Sequence, residues 1–310
     1  MGDAHSDWVA RDERVVWHGF TQMSVFADNA PIIVDRAVEV LVADERVRAL
    51  WVHGSVGRGE ADASSDLDLI LAVADDAFDE VWAAWPEWLA AITPTVLARP
   101  LPWIPGILYA LTPECLRIDV VVERIGNLPS SGFGRRALVF DRDGLDALVP
   151  PPPTPPGPDR TAVETAIEEP LRYLSLLPAV LDRQAYLLSQ EGYAHIRRRL
   201  VELFQQANAP QATVGMKHGR YQVTDEQYAV LEALPWPQAT REELIAAHRA
   251  IGSCLLEIAP PIAALVDLPW PQALEDAVRA HLRRELGIDL DGSTGTDQNW
   301  KPGSVLPPTS

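Results

Sequence analysis

The sequence predicts an α+β fold, in which a small mixed-sheet domain is followed by an all-α helical bundle domain. Three observations predict it: strand and helix patterns alternate over residues 1–149, prolines fill residues 150–158, and helical periodicity runs through residues 159–288. With 47% apolar residues in a chain of 310, both domains can bury a core. Residues 289–310 are rich in glycine, serine, threonine and proline and are predicted to form a mobile tail.

Apolar spacing predicts the elements of the first domain. A helix is expected over residues 31–43, where apolar residues recur at helical spacing. A second helix should begin after Asp75 or Asp76, either of which is a possible cap, and Pro86 should kink or divide it. The predicted strands are short apolar runs at residues 46–53, 67–73, 95–98, 107–111, 116–125 and 136–140.

Prolines and helical periodicity organise the rest of the chain. The segment 150–158 can neither continue a helix nor pair as a strand, so it is predicted to be a linker. The candidate helices beyond it cover residues 161–177, 179–207, 225–234, 241–259 and 272–286. Prolines lack the N–H that a helix interior uses and are expected to separate these helices. The separating residues are Pro178, Pro235, Pro237, Pro260 and Pro261.

Charge and cysteine content narrow the functional classes. The net charge is −18, carried mostly by residues 1–149, and it disfavours a long nucleic acid as partner because phosphate backbones attract basic faces. The two cysteines, Cys115 and Cys254, make neither a disulfide framework nor a zinc-ligand set, so a reducing, cytoplasmic location is predicted. Apolar runs are too short for a membrane span and the N-terminus lacks a signal core, so no membrane partner is expected. The oligomeric state is left open.

Two aspartates, Asp66 and Asp68, lie at positions i and i+2 around the start of a predicted strand. Side chains at this spacing share one face of a strand, roughly 6–7 Å apart along the backbone. Such carboxylates can close on one divalent cation, and magnesium prefers hard oxygen ligands while keeping positions for phosphate oxygens and water. The pair is interpreted as a magnesium site. In the alternative, Asp66 caps a turn and Asp68 pairs with a buried arginine.

A glycine-rich turn precedes the two aspartates. Gly54 allows a phosphate to approach the backbone closely, and the Ser55 hydroxyl with adjacent amides can hold triphosphate oxygens at a helix start. Arg58 is either a phosphate contact or a solvated turn arginine. The turn is therefore a candidate nucleotide-binding element.

A third acid, Asp119, lies within a later apolar strand, where an unpaired carboxylate is unfavourable. On a strand beside Asp66 and Asp68 it would help to hold a second metal ion and would orient the acceptor's hydroxyl proton. The alternative interpretation of Asp119 is a satisfied buried salt bridge.

These residues carry a family resemblance. Gly54 and Ser55, followed after ten residues by Asp66 and Asp68, resemble the signature of the DNA polymerase β-like nucleotidyltransferase superfamily. Asp119 matches the family's third carboxylate. A catalytic domain followed by a helical bundle is similar to the layout of the lincosamide and aminoglycoside nucleotidyltransferase branch. The resemblance therefore identifies the first domain as the nucleotidyltransferase catalytic domain.

The resemblance also implies roles for individual residues. Asp66 and Asp68 are expected to bind metal, Asp119 to complete the metal site and act as general base, and Ser55 to touch the terminal phosphates. His53 departs from the pattern, because the family usually has an apolar residue there.

By the same resemblance the protein transfers a nucleoside monophosphate from ATP or another nucleoside triphosphate to a small hydroxylated acceptor. Two Mg²⁺ ions assist, pyrophosphate is released, and the acceptor is an aminoglycoside or lincosamide antibiotic. Two other interpretations stay open: the same chemistry on tRNA or a protein, as in toxin-like relatives, and a non-catalytic nucleotide-binding module. The intact set of three aspartates disfavours the last.

Lys217 is the remaining candidate. It is one of two lysines in the chain and lies in a basic loop between predicted helices. In related two-domain transferases a basic residue of the helical domain can reach the triphosphate, so Lys217 is assigned to nucleotide binding. The alternative is an ordinary exposed loop.

Overall fold

The computed structural model describes residues 25–61, 65–152, 157–208 and 223–290. The chain divides into two compact units, Met1–Pro153 and Thr154–Ser310. The first unit contains a six-stranded mixed sheet with helices, and every element described in the second is a helix. The predicted α+β class is therefore confirmed. Within the described ranges, no helix is both long enough and apolar enough to cross a membrane.

The first unit has all of the predicted strands, with ends that differ from the predicted ones by at most two residues. Its helices are α1 (Val25–Val42), α2 (Gly54–Gly57), α3 (Phe78–Ala83) and α4 (Trp85–Ile92). Its strands are β1 (Val47–His53), β2 (Leu67–Val73), β3 (Leu97–Pro100), β4 (Ile107–Leu111), β5 (Arg117–Arg124) and β6 (Ala137–Asp141). Two short 3-10 helices, Ile125–Ser130 and Leu145–Leu148, follow β5 and β6.

Pro86 divides the predicted second helix into α3 and α4, as expected. It occupies the first turn of α4, where a missing backbone N–H leaves no hydrogen bond unmade. Neither Asp75 nor Asp76 caps α3, however, because the N-cap residue is Ala77. The Asp75 carboxylate instead accepts a hydrogen bond of 2.9 Å from the Gly126 N–H, which ties the start of α3 to the 3-10 helix after β5.

The sheet has the strand order β3-β4-β5-β2-β1-β6. β2 and β5 are parallel, and the other neighbours are antiparallel. Because strand side chains alternate, one face buries residues such as Leu69 and Val120 against α1, α3 and α4. The other face buries Trp51 and Ile70 in a smaller core against Leu128 and the second 3-10 helix. This second face carries the candidate site.

The second unit contains α5 (Arg160–Asp182), α6 (Tyr186–Ala207), α7 (Asp225–Ala233), α8 (Arg241–Leu265) and α9 (Gln272–Leu286) among its described residues. Their apolar faces share one core. Side-chain oxygens cap several of these helices: Asp159 accepts from the Ala162 N–H at 2.6 Å, and Thr224 forms a capping box with Gln227. These helix starts are therefore marked by capping residues that bond to backbone groups only three positions away.

Two of the predicted breaks are wrong. Pro178 lies inside α5, and Pro260 and Pro261 lie inside α8. Buried residues precede and follow each proline in the shared core, so tertiary packing offsets the lost hydrogen bonds and the helices continue. α5 ends instead near Gln184, whose φ of 54° is left-handed, and α6 begins at Tyr186 rather than at residue 179.

The two cysteines differ in accessibility, which gives a test of the second core. Cys254 on α8 is 3% exposed, and burial together with the nearby Glu257 raises its thiol pKa to about 12. Cys115 is exposed in the turn before β5. Because the thiolate is the reactive form, we expect an aromatic disulfide reagent at pH 8 to titrate one thiol in the native protein and two in urea. Rapid titration of two thiols in the native state would contradict the packing of α8.

Candidate active site

Strand register brings two of the predicted acids together. β2 and β5 pair in parallel, with Asp68 directly opposite Asp119. Neighbouring strands lie about 4.8 Å apart, and directly opposed residues point to the same face. Asp66 lies two residues before Asp68, so an extended backbone directs its side chain to that face as well.

The three carboxylates converge at this position. One oxygen from each of Asp66, Asp68 and Asp119 lies within 4.8 Å of the other two, and all three residues are half-buried. Magnesium holds oxygen ligands at about 2.0–2.1 Å, so ligands on opposite sides of one ion are about 4.2 Å apart. The spacing of the three carboxylates is compatible with their holding a divalent ion together. A set of hard oxygen donors with this spacing suits magnesium.

Gly54 lies against the Asp68 carboxylate. β1 ends at His53, which pairs with Asp68 across the antiparallel ladder, and the chain then turns at Gly54 with a φ of +64°. A Cβ at this position would collide with Asp68 Oδ2 and would lie 3.1 Å from the Asp68 Cγ. Glycine meets both requirements, the left-handed backbone and the close approach.

The predicted phosphate-binding turn is the single-turn helix α2. Ser55 is 4% exposed within this turn, one residue after Gly54. Arg58 follows as the C-cap of α2, and its guanidinium pairs with Glu60 at 2.7 Å. The turn thus begins beside Asp68, while the contact of Ser55 or Arg58 with a phosphate stays a prediction.

Two residues near this turn, His53 and Arg136, were not among the site residues predicted from the sequence. Burial lowers the pKa of the His53 imidazole, a hydrogen bond to the Phe133 backbone opposes that shift, and the charges of Arg58 and Arg136 lower the pKa further. The lowered pKa favours the neutral imidazole, and the two guanidinium groups each pair with an acid at 2.7 Å, Arg58 with Glu60 and Arg136 with Asp146. Arg136 lies near His53 because β1 pairs with β6, and no sequence motif predicts this proximity.

Tyr109 is a further neighbour of the cluster that the sequence did not indicate. β4 pairs with β5 so that Tyr109 is directly opposite Asp119, and its side chain is 39% exposed. Only the strand register identifies this neighbour, since the two residues share no motif.

The structure thus gathers the predicted residues of the first unit on one face of the sheet and at its edge. These are Gly54, Ser55, Arg58, Asp66, Asp68 and Asp119. Lys217 lies outside the described residues, and its contact with the triphosphate stays a prediction.

Comparison with known proteins gives structural neighbours only. No model of a known protein family matches the sequence, and no curated protein matches it. The solved structures that resemble the chain include an aminoglycoside 6-adenyltransferase from Bacillus subtilis, with 13% identity and a TM-score of 0.40 over 84% of this chain and 98% of that one. They also include a nucleotidyltransferase-like protein from Exiguobacterium sibiricum 255-15, with 14% identity and a TM-score of 0.32 over 85% and 86%. A CCA-adding enzyme has 12% identity and a TM-score of 0.32 over 90% and 72%.

The neighbours therefore include nucleotidyltransferases, the class that the sequence motif resembles. They share too little sequence with this chain to indicate its substrate. The function proposed next rests on the chain's own residues.

Proposed function

We propose that this protein is a magnesium-dependent nucleotidyltransferase that moves a nucleoside monophosphate, AMP from ATP, to a hydroxyl group of a small molecule. The observation that carries the proposal is the convergence of Asp66, Asp68 and Asp119 within 4.8 Å. Three carboxylates this close together repel one another, and a divalent cation bound among them would relieve that repulsion. Such a cluster beside a glycine-rich turn is typical of metal-dependent phosphate chemistry.

The three acids are proposed to have different roles in metal binding and proton transfer. Asp66 and Asp68 would hold magnesium together with Asp119, in a site for two ions. Bound magnesium supplies electrostatic stabilisation of the charge on the transferred phosphate and the departing pyrophosphate. Asp119 is the acid of the three that pairs with β4, and we assign to it the role of accepting the proton of the attacking hydroxyl.

The triphosphate would lie on the other side of Asp68. There the chain turns at Gly54, which lies against the Asp68 carboxylate, and the single-turn helix that contains Ser55 is proposed to hold phosphate oxygens with its hydroxyl and backbone amides. Arg58 is proposed as a phosphate contact on that side, where a phosphate would share its guanidinium with Glu60, the acid that pairs with it at 2.7 Å. Lys217 is proposed as a further contact from the second unit.

A small acceptor agrees with the charge of the chain. A net charge of −18 opposes the approach of a tRNA, whose phosphates favour basic surfaces. The sequence resemblance points to an aminoglycoside or a lincosamide, whose modification would confer antibiotic resistance. A cytoplasmic location, where ATP and magnesium are available, is proposed with it.

The test is an acceptor screen. The protein is incubated with magnesium, each of the four ribonucleoside triphosphates and a panel of aminoglycosides, lincosamides, sugars, sugar phosphates and nucleotides. We expect one acceptor class to gain the mass of one nucleoside monophosphate, with release of pyrophosphate, and the Asp68→Asn protein to give no product. Label on RNA or protein instead would select the alternative acceptors. Magnesium-dependent ATP binding without transfer to any acceptor, RNA or protein would favour a non-catalytic nucleotide-binding module.

Replacement of Asp119 tests its separate role. Asp119→Asn keeps a neutral oxygen ligand but removes the proton acceptor, so we expect kcat to fall by at least about 100-fold. The KM for ATP should change by less than about threefold if Asp119 acts mainly in the chemical step. Steady-state kinetics with the acceptor found in the screen gives both values.

Glu123→Gln is the matched control for Asp119→Asn. Glu123 lies on the same strand and the same face, and its Oε1 accepts a hydrogen bond of 2.6 Å from the Asn127 side chain, which glutamine can preserve. We expect this variant to retain normal kcat. A loss confined to ATP affinity in Asp119→Asn would remove the proton-acceptor role.

A further inference from the structure

One row of paired residues crosses five of the six strands and contains part of the carboxylate cluster. Arg99 of β3 is opposite Tyr109 of β4, and Tyr109 is opposite Asp119 of β5. Asp119 is opposite Asp68 of β2, and Asp68 is opposite His53 of β1. Directly opposed residues on neighbouring strands share a face of the sheet. Arg99 and Tyr109 therefore lie on the same face as the carboxylates, on the side away from β1.

This face is covered over β1 and β2 but open over β3 and β4. Trp51 and Ile70 are buried in the small core that involves the two 3-10 helices. On β4 and β3, on the other side of Asp119, side chains of this face are exposed. Tyr109 and Leu97 are each 39% exposed, and Arg99 is also exposed. The open part of the face is therefore next to the acid that borders the acceptor side.

Its surface combines apolar and cationic groups. Leu97 is opposite Leu111, and Leu111 is opposite Arg117, which lies two residues before Asp119 and so shares its face. Together with Arg99 and Tyr109, these residues form what we call the β3–β4 platform. Arg99 and Arg117 thus give this part of the face two cationic side chains.

Arg99 is an exposed residue of β3. It donates a hydrogen bond of 2.8 Å to the carbonyl of its chain neighbour Ala98, and it makes no ion pair with any residue that the structure describes. An exposed arginine of the same unit does form an ion pair: Arg36 pairs with Glu39 at 2.6 Å. An exposed guanidinium with no ion pair among the described residues can bind a phosphate or a carboxylate through two parallel N–H groups.

We infer that the β3–β4 platform is the acceptor subsite, and that the acceptor carries an apolar or aromatic ring and an anionic group. This inference rests on the proposed function. The ring packs on Tyr109 and Leu97, the anion pairs with Arg99, and the reacting hydroxyl faces Asp119. Arg99 and Asp119 are two strand spacings apart, about 9–10 Å, which matches the length of a phosphorylated ring compound.

The transfer itself leaves the platform chemically unchanged. The acceptor oxygen forms a bond to the α-phosphorus of the triphosphate as the bond from that phosphorus to the pyrophosphate oxygen breaks. The hydroxyl proton passes to Asp119, and pyrophosphate leaves with the electron pair. Arg99 and Tyr109 bind and orient the acceptor. Of the small acceptors proposed above, an anionic ring compound therefore suits this platform better than a polycationic aminoglycoside, whose ammonium groups would lie against Arg99 and Arg117.

The test uses two probes that differ only in the anion, 1-naphthyl phosphate and 1-naphthol. Binding is measured by calorimetry on the full chain with magnesium and α,β-methylene-ATP already bound. We expect the phosphate to bind on the order of 10-fold more tightly than the alcohol. Arg99→Gln should remove this preference and Arg99→Lys should keep part of it, while Tyr109→Ala should weaken both probes.

Arg198→Gln is the control for nonspecific attraction of the phosphate. Arg198 is an exposed arginine of α6 in the second unit, and its loss should leave the preference unchanged. Equal binding of the two probes, or a preference that survives Arg99→Gln, overturns the inference. Failure of the analogue to bind in the presence of magnesium would instead refute the proposed function, so the two failures are distinguishable. Transfer to amino sugars but never to anionic acceptors in the screen would also overturn the platform assignment.

Discussion

Asp68→Asn is expected to abolish nucleotidyl transfer while the first unit stays folded. Asp68 stands between the other two acids, since it is opposite Asp119 and two residues after Asp66. An amide oxygen has no charge with which to hold a divalent ion beside a triphosphate. Charge stabilisation by such ions is worth several kcal/mol, so we expect the rate to fall at least roughly 1,000-fold, equivalent to about 4 kcal/mol.

The same substitution makes a prediction about stability. Without divalent ions, the three clustered carboxylates repel one another, and removal of one relieves that repulsion. We expect the thermal midpoint of Asp68→Asn, measured in EDTA, to equal or exceed that of the unmodified protein. Calorimetric titration with Mn²⁺, which also prefers oxygen ligands, should show weakened binding.

Asp76→Asn is the matched control for Asp68→Asn. Asp76 is an exposed acid in the turn after β2, at the opposite end of the strand from the cluster. Its replacement should leave both transfer and Mn²⁺ binding unchanged. A lowered midpoint for Asp68→Asn together with normal Mn²⁺ binding would favour the alternative in which Asp68 serves a structural ion pair.

Gly54→Ala is expected to have the second-largest effect, although it adds only one methyl group. The backbone at Gly54 is left-handed, which costs an alanine about 1–2 kcal/mol. The added Cβ would also collide with the Asp68 carboxylate, because it lies 3.1 Å from Cγ and closer still to Oδ2. The carboxylate must therefore move, which changes its position relative to Asp66 and Asp119. We expect transfer and Mn²⁺ affinity to fall towards the values of Asp68→Asn.

Gly59→Ala separates the two effects of a methyl group at a left-handed position. Gly59 has a φ of +73°, and nothing lies within 4 Å of a Cβ built there. It should therefore show a loss of about 1–2 kcal/mol in the free energy of unfolding in urea, with Mn²⁺ binding intact. If Gly54→Ala and Gly59→Ala behaved alike in Mn²⁺ titrations, the close approach of Gly54 to Asp68 would have no functional importance.

The three acids of the site show which positions can be predicted from residue spacing and which depend on strand pairing. Asp66 and Asp68 could be placed on one face from their spacing alone, since alternation along a strand is a property of the local backbone. The position of Asp119 required the pairing of β2 with β5, which joins residues about fifty positions apart in the chain. The sequence suggested this neighbour only because an acid in an apolar strand needs a partner.

The sequence did not predict which side chains the pairing of other strands brings near the carboxylates. These are Arg136, Tyr109 and Arg99. None belongs to a motif, and each is brought to the cluster by the register of a strand other than β2. A shift of one residue in that register would turn Tyr109 or Arg99 to the opposite face. The composition of the surface beside the acids is thus a consequence of strand pairing.

Local residue order was sufficient for the α+β class, for the strands and for most helix starts, because alternation, periodicity and capping act between residues a few positions apart. Strand order, register and helix length through Pro178 and Pro260 were decided by the folded chain. These features depend on apolar burial between distant segments, which outweighs local preferences by several kcal/mol. The same burial sets which side chains stand beside the three carboxylates.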